Sequence, residues 1–192
     1  MGYVDHHVHF LSTVAARLSV DVSGARSLAD IGPALQSAAP AGQSGWVRAW
    51  GYDEAVLAEG RHPTQDDLDR FRADAPVVLH HRTGHVAVMN TRALELTGGP
   101  DRPGIEAGVL FDRHEVLARV PRLDPGDLAA AAARVSAEWA RDGIDAFVDA
   151  TATNGPAELG LLAGWCRDGV IRQQVTAMVS PGALHQVPPF GA

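Results

Sequence analysis

Two short apolar runs, residues 144–150 and 171–179, are joined by one helical pattern and two short loops. Two strands linked through a helix cannot pair as a hairpin; a unit this compact is a parallel crossover, right-handed because of strand twist. The intervening helix is bounded by Asn154-Gly155-Pro156 at its start and Asp168-Gly169 at its end. Just upstream, Asp124-Pro125 places an N-cap before a proline at the first helical position. Leu128, Ala132, Val135 and Trp139 then form an apolar stripe at helical spacing, and Gly143 stops it. The last third of the chain therefore reads as α/β with parallel strands.

The rest is less regular. Residues 1–10 read as a strand, 11–18 as a short helix and 20–22 as an extended piece. Ser27, with Asp30 three residues on, caps a predicted helix over 28–38 that contains Pro33. Residues 46–50 read as a strand with Trp46, Arg48 and Trp50 on one face. Thr64 caps a helix over 65–72, and 76–82 is a strand. Asn90 or Thr91 caps a short helix that ends before Gly98-Gly99. Loops are expected at 40–45 and 100–108, and a helix over 111–120. This divides the chain into a first strand with its following segment (1–19), an α+β insertion (20–123) and βα units (124–192).

Composition removes several classes. The chain has 192 residues, 46% of them hydrophobic, enough for a packed core. Sixteen basic residues against 23 acidic give a net charge of −7, which argues against nucleic acid as a partner. No apolar run approaches the ~20 residues of a membrane span. Residues 1–10 carry Asp5 and three histidines where a signal peptide needs an apolar stretch, so the expected location is cytoplasmic. Cys166 is the one cysteine, so no internal disulfide forms, and beside Leu162 and Trp165 it reads as core rather than nucleophile. No dinucleotide fingerprint, phosphate loop or serine nucleophile elbow is present. There is no lysine at all.

The chemistry gathers at Asp5-His6-His7-Val8-His9. Alternate residues of a strand share a face, so Asp5, His7 and His9 project together, and His6, Val8 and Phe10 form a mostly apolar back. Two imidazoles two residues apart can meet one divalent ion. They sit at the carboxyl end of the strand, where parallel α/β proteins keep their active sites.

Gly2-Tyr3-Val4-Asp5-His6-His7-Val8-His9 resembles the metal-binding opening of the amidohydrolase superfamily, typically Gly-Phe-x-Asp-x-His-x-His. Four further segments are similar to the YtcJ-like branch, which includes N-substituted formamide deformylases. They are the Trp-rich run from Trp46 to Glu54, His62-Pro63-Thr64 through Asp69, His81-Arg82-Thr83-Gly84-His85 through Asn90, and Asp142-Gly143-Ile144 through Ala150. The resemblance implies a partial TIM-like (β/α)8 metal-dependent hydrolase barrel, here its first strands only. It implies a divalent metal, Zn²⁺ foremost, with His7 and His9 as ligands and Asp5 orienting an imidazole. It places His85 near the substrate, hydrogen-bonding the scissile carbonyl, and Trp50 and His81 in the substrate pocket. The implied reaction is hydrolysis of a non-peptide carbon–nitrogen bond in a small amide-type substrate by metal-activated water. His80 is given no role, and His114 and His185 are expected at the surface.

A full barrel of this kind needs about 250 residues. The family's later ligands, a bridging carboxylate or carboxylated lysine, two more histidines and an aspartate, have no counterpart in this sequence. The chain is therefore expected to be the N-terminal part of a barrel, doubtful as an enzyme alone. The alternative is a non-catalytic remnant that assembles with a complementary barrel half or with a second copy of itself as a homo-oligomer. A third reading, an unrelated α/β domain with an incidental histidine cluster, is separated from both by metal content.

Overall fold

A computed structural model describes residues 2–40, 44–98 and 103–186. Parts of the expected loops at 40–45 and 100–108 lie outside the described residues. In chain order the elements are β1 (Tyr3–Val8), α1 (Phe10–Arg17), β2 (Val20–Asp21), α2 (Leu28–Ser37), β3 (Val47–Tyr52), α3 (Gln65–Phe71), β4 (Val77–His81) and β5 (Val86–Met89). They continue with α4 (Thr91–Thr97), β6 (Val109–Phe111), α5 (His114–Leu117), α6 (Pro125–Arg141), β7 (Ile144–Asp149), α7 (Pro156–Arg167) and β8 (Gln174–Ala177). The chain divides into two compact units, residues 1–15 with 125–192, and residues 16–124.

The first unit carries a three-stranded sheet in the order β1-β7-β8, with both pairings parallel. The crossover read from residues 144–179 is present, with α7 between β7 and β8. Its core is aromatic: the Phe10 ring stacks on Phe147 at 5.0 Å and meets Trp139 edge-on at 5.4 Å. Ala131, Ala132, Val135 and Ser136 form the buried face of α6. Strand β8 starts at Gln174, not Ile171, because the preceding residues make other bonds. The Ile171 N–H donates to the Trp165 carbonyl, and the buried Gln173 amide donates to the Ser136 carbonyl at 2.9 Å.

Strand β1 departs from expectation in two respects. It ends at Val8, since Phe10 already opens α1 and is fully buried there. Its apolar back is also not fully covered, with Val4 49% exposed, and Tyr3 on the histidine face is 74% exposed. The reason is position, since among the described residues β1 is an edge strand paired only with β7, and the aromatic core is built around Phe10 and Phe147 instead.

The second unit is a five-stranded mixed sheet, β2-β3-β4-β5-β6. The first three strands are parallel, and β4-β5 and β5-β6 are antiparallel. Alternate residues feed two separate cores. Val47, Ala49, Val77, Leu79 and Val88 join Ile31, Leu35 and Leu68; Trp46, Val78, Ala87 and Met89 join Leu94, Leu110 and Val116. Both faces being covered explains the continuous apolar runs of β4 and β5.

Asn90, not Thr91, caps α4. Its Oδ1 accepts from the Val77 and Ala93 N–H groups at 3.0 Å, and its Nδ2 donates to the Arg72 and Ala75 carbonyls. At the start of α3, the Asp67 carboxylate accepts from the Thr64 N–H and hydroxyl at 2.9 and 2.8 Å. The helix expected over 111–120 is one turn only, α5, and β5 and β6 were not foreseen. Among the described residues no set of strands closes into a barrel.

Candidate metal centre and substrate pocket

In the first unit, Asp5, His7 and His9 come together at the carboxyl end of β1. The His7 and His9 ring centroids are 5.3 Å apart, nearly perpendicular at 82°. Asp5 Oδ1 accepts the His7 backbone N–H at 3.1 Å, so this carboxylate fixes the chain at His7 rather than its ring. His9 Nδ1 lies 3.2 Å from the Thr151 hydroxyl, which orients the His9 ring and leaves Nε2 to face outward chemistry. Asp5, His7 and His9 are all exposed. Two neighbouring imidazoles, one already oriented through Nδ1, suit two of the four positions around a divalent ion.

A residue to which the sequence reading gave no role holds this ledge. Asp149 is fully buried at the end of β7. Its Oδ2 accepts the Phe10 N–H at 2.9 Å; its Oδ1 accepts the Thr151 N–H and the Asn154 side-chain amide, both at 3.0 Å. One carboxylate thus ties down the residue after His9 and the residue that orients its ring. The available signal was an acid ending an apolar strand, followed closely by Thr151 and Asn154.

Trp50, His81 and His85 belong to the second unit. Trp50 lines a cavity of about 350 Å³ together with Ser23, Arg26, Asp53 and Arg82. Its ring lies 5.7 Å from that of His80, whose pKa is pushed down to about 4 by burial and by the nearby Arg48. His81 does not line that cavity. It is buried, with Nε2 2.8 Å from Glu54 Oε2 and 3.9 Å from Asp53 Oδ1. Asp53 in turn receives Arg82 Nη1 at 3.0 Å. Close by, the Tyr52 hydroxyl is 3.0 Å from His62 Nδ1, and burial and Glu54 raise the Tyr52 pKa well above the usual phenol range.

His85 is exposed, and its Nδ1 lies 2.8 Å from Asp112 Oδ1. The Asp112 backbone N–H also donates to the His85 carbonyl at 2.9 Å. A carboxylate facing Nδ1 sets the ring so that Nε2 is the working nitrogen. Asp112 was not picked out from the sequence because it arrives through the unforeseen β5–β6 pairing. His114 and His185 are exposed. Cys166 is half-buried and burial raises its thiol pKa, which does not favour a nucleophile.

The fold is similar to part of two larger solved structures. It superposes on an uncharacterized metal-dependent hydrolase from Pyrococcus furiosus with a TM-score of 0.66 and 24% identity, covering 96% of this chain and 39% of that one. A second, from Pyrococcus horikoshii OT3, gives a TM-score of 0.66 and 23% identity over 96% of this chain and 38% of its own. The amidohydrolase family description matches residues 2–174, and the chain belongs to that family. It is similar to the putative amidohydrolase YtcJ of Bacillus subtilis (strain 168), 28% identical over 62% of this chain and 26% of that protein. The chain thus spans about a quarter of the length of that curated relative.

Proposed function

We propose that this chain contributes the first metal-binding strand and part of the substrate pocket to a (β/α)8 amidohydrolase that hydrolyses non-peptide carbon–nitrogen bonds in a small amide-type substrate. The observation that carries the reading is the His7–His9 pair, 5.3 Å apart at the carboxyl end of a parallel strand. A divalent ion held there, Zn²⁺ by the preference of imidazole ligands, supplies a Lewis acid for activating water. The chain's own groups do the positioning. Asp149 and Thr151 hold His9, and Asp5 holds the backbone at His7. In the other unit, the Asp112 carboxylate 2.8 Å from Nδ1 orients the His85 ring for a hydrogen bond to substrate. Trp50 forms an apolar wall of the pocket.

One observation supports a second reading, in which the first unit assembles with the rest of a barrel or with another copy. Among the described residues strand β1 is a sheet edge, beside exposed Tyr3 and Val4. Both readings fit a cytoplasmic protein, and no helix among the described residues is long and apolar enough to cross a membrane.

Calorimetric titration of Zn²⁺ into the chain and into a His7→Ala/His9→Ala variant tests the assignment. The variant should lose one binding event. Identical isotherms would overturn it.

A further inference from the structure

The second unit holds a group of ligating atoms that the proposed chemistry does not use. Strands β3 and β4 are parallel and end together: after an irregularity between Trp50 and Tyr52, Tyr52 pairs with His81. Gly51 supplies that irregularity with φ of +107°, a conformation that few other residues adopt, and a Cβ there would crowd Ser23. The two residues following Tyr52 are therefore delivered beside the His81 side chain. One oxygen each from Asp53 and Glu54 and one nitrogen of His81 all lie within 4.8 Å of one another.

The arrangement is poorly explained as an ordinary ion pair. The His81 side chain is only 9% exposed, and its Nε2 lies 2.8 Å from Glu54 Oε2. Yet both atoms are buried and neither has a partner in hydrogen-bond geometry. Buried polar atoms left unsatisfied cost about 1–3 kcal/mol each. Two buried atoms without hydrogen-bond partners, with Asp53 Oδ1 3.9 Å from the same nitrogen, are what a shared cation would satisfy.

The surroundings agree. His81 Nδ1 lies 2.8 Å from the Thr83 hydroxyl and 3.2 Å from the Thr83 backbone N. The Thr83 N–H donates to Nδ1, so the turn after β4 holds the ring by that nitrogen and leaves Nε2 as the atom that faces the two carboxylates. Asp53 and Glu54 carry two negative charges against the single positive charge of Arg82, so the locus favours a cation. Tetrahedral ligands at the ~2.0–2.1 Å of Zn–N and Zn–O bonds stand about 3.3 Å apart, between the two distances found here.

We infer that Asp53, Glu54 and His81 form a further divalent-cation site, suited by one imidazole and two carboxylates to Zn²⁺ or Mn²⁺. It uses neither His7 nor His9 and does not depend on the amidase reading.

The test uses the whole chain with Zn²⁺ alone as the probe. The His7→Ala/His9→Ala variant should keep one binding event. Adding Glu54→Gln, a change of similar volume at a partly exposed side chain, should weaken that event by ~10-fold or more, since loss of even outer partners costs ~10–100-fold. The His81 ring nitrogens, followed by NMR in the His7→Ala/His9→Ala protein, should shift on adding Zn²⁺. The inference is overturned if that protein binds no Zn²⁺, if Glu54→Gln leaves its binding unchanged, or if the His81 resonances do not move. Failure of the His7–His9 assignment reads differently: the histidine pair could then be removed with no loss of any event.

Discussion

The two units solve burial differently, and their chemistry follows from that. The mixed sheet of the second unit is covered on both faces, with Leu79 and Val78 of adjacent positions each fully buried in a different core. The parallel sheet of the first unit has one aromatic core around Phe10 and Phe147 and leaves β1 exposed at its edge. Polar groups in the covered sheet must be paired internally, as Asn90 and Asp67 are. Polar groups on the exposed strand can stay available for a ligand, as His7 and His9 do. Hydrogen bonds rather than a surrounding core hold them: Asp5 at the His7 backbone, Thr151 at the His9 ring, and the buried Asp149 behind both Phe10 and Thr151.

The largest expected contrast between the units is in packing. Leu79→Ala should destabilise the second unit by ~2–5 kcal/mol, the range for deleting a buried leucine side chain. Urea denaturation followed by tryptophan fluorescence and far-UV circular dichroism measures it. A loss under 1 kcal/mol would mean that the two-sided core is not where that unit's stability resides.

Next comes pH. His80 in the folded protein is held at about 4, below its unfolded value near 6.5. The unfolded chain therefore binds more protons between these two values, and stability rises with pH across that window. Going down from pH 6.5 to 4 should cost on the order of 2–3 kcal/mol through this residue. Denaturation midpoints across that range, compared with those of His80→Gln, isolate the contribution; parallel curves would contradict it.

Asp149→Ala should cost ~1–3 kcal/mol, because it strands the buried Phe10 N–H and Asn154 amide. The signature sought is local: amide exchange should accelerate in β1, α1 and residues 149–154, while β4 and β5 remain protected. Uniform acceleration would mean that the two units unfold together.

The smallest effect is expected at the exposed edge. Val4→Thr should change stability by no more than ~0.5 kcal/mol, as for surface positions generally. A larger loss, dependent on protein concentration, would instead reveal that the β1 edge is covered by another chain.

The parallel unit was legible because its signals are local. Asp124-Pro125, Gly143, Asn154-Gly155-Pro156 and Asp168-Gly169 mark its boundaries, and the resulting strands pair as the crossover requires. Strand β5 was not, because Val86–Met89 is a four-residue apolar run without alternation, and its two-sided burial erases the period that marks a strand. Missing β5 hid β6, and with it Asp112 beside His85. His7 and His9 were readable from spacing on one strand. The Asp53–Glu54–His81 grouping was not, since it depends on two strands ending in register after Gly51. The same holds for Asp149, whose partners lie up to 139 positions away in sequence.

The central claim is that His7 and His9 bind one metal ion together. It is tested most directly by following their ring nitrogens by NMR as Zn²⁺ is added to the Glu54→Gln protein, in which the other candidate site is weakened. The account predicts that both rings shift along a single binding curve and that His9→Ala abolishes the response at His7. Independent responses of the two rings, or none at either, would contradict it.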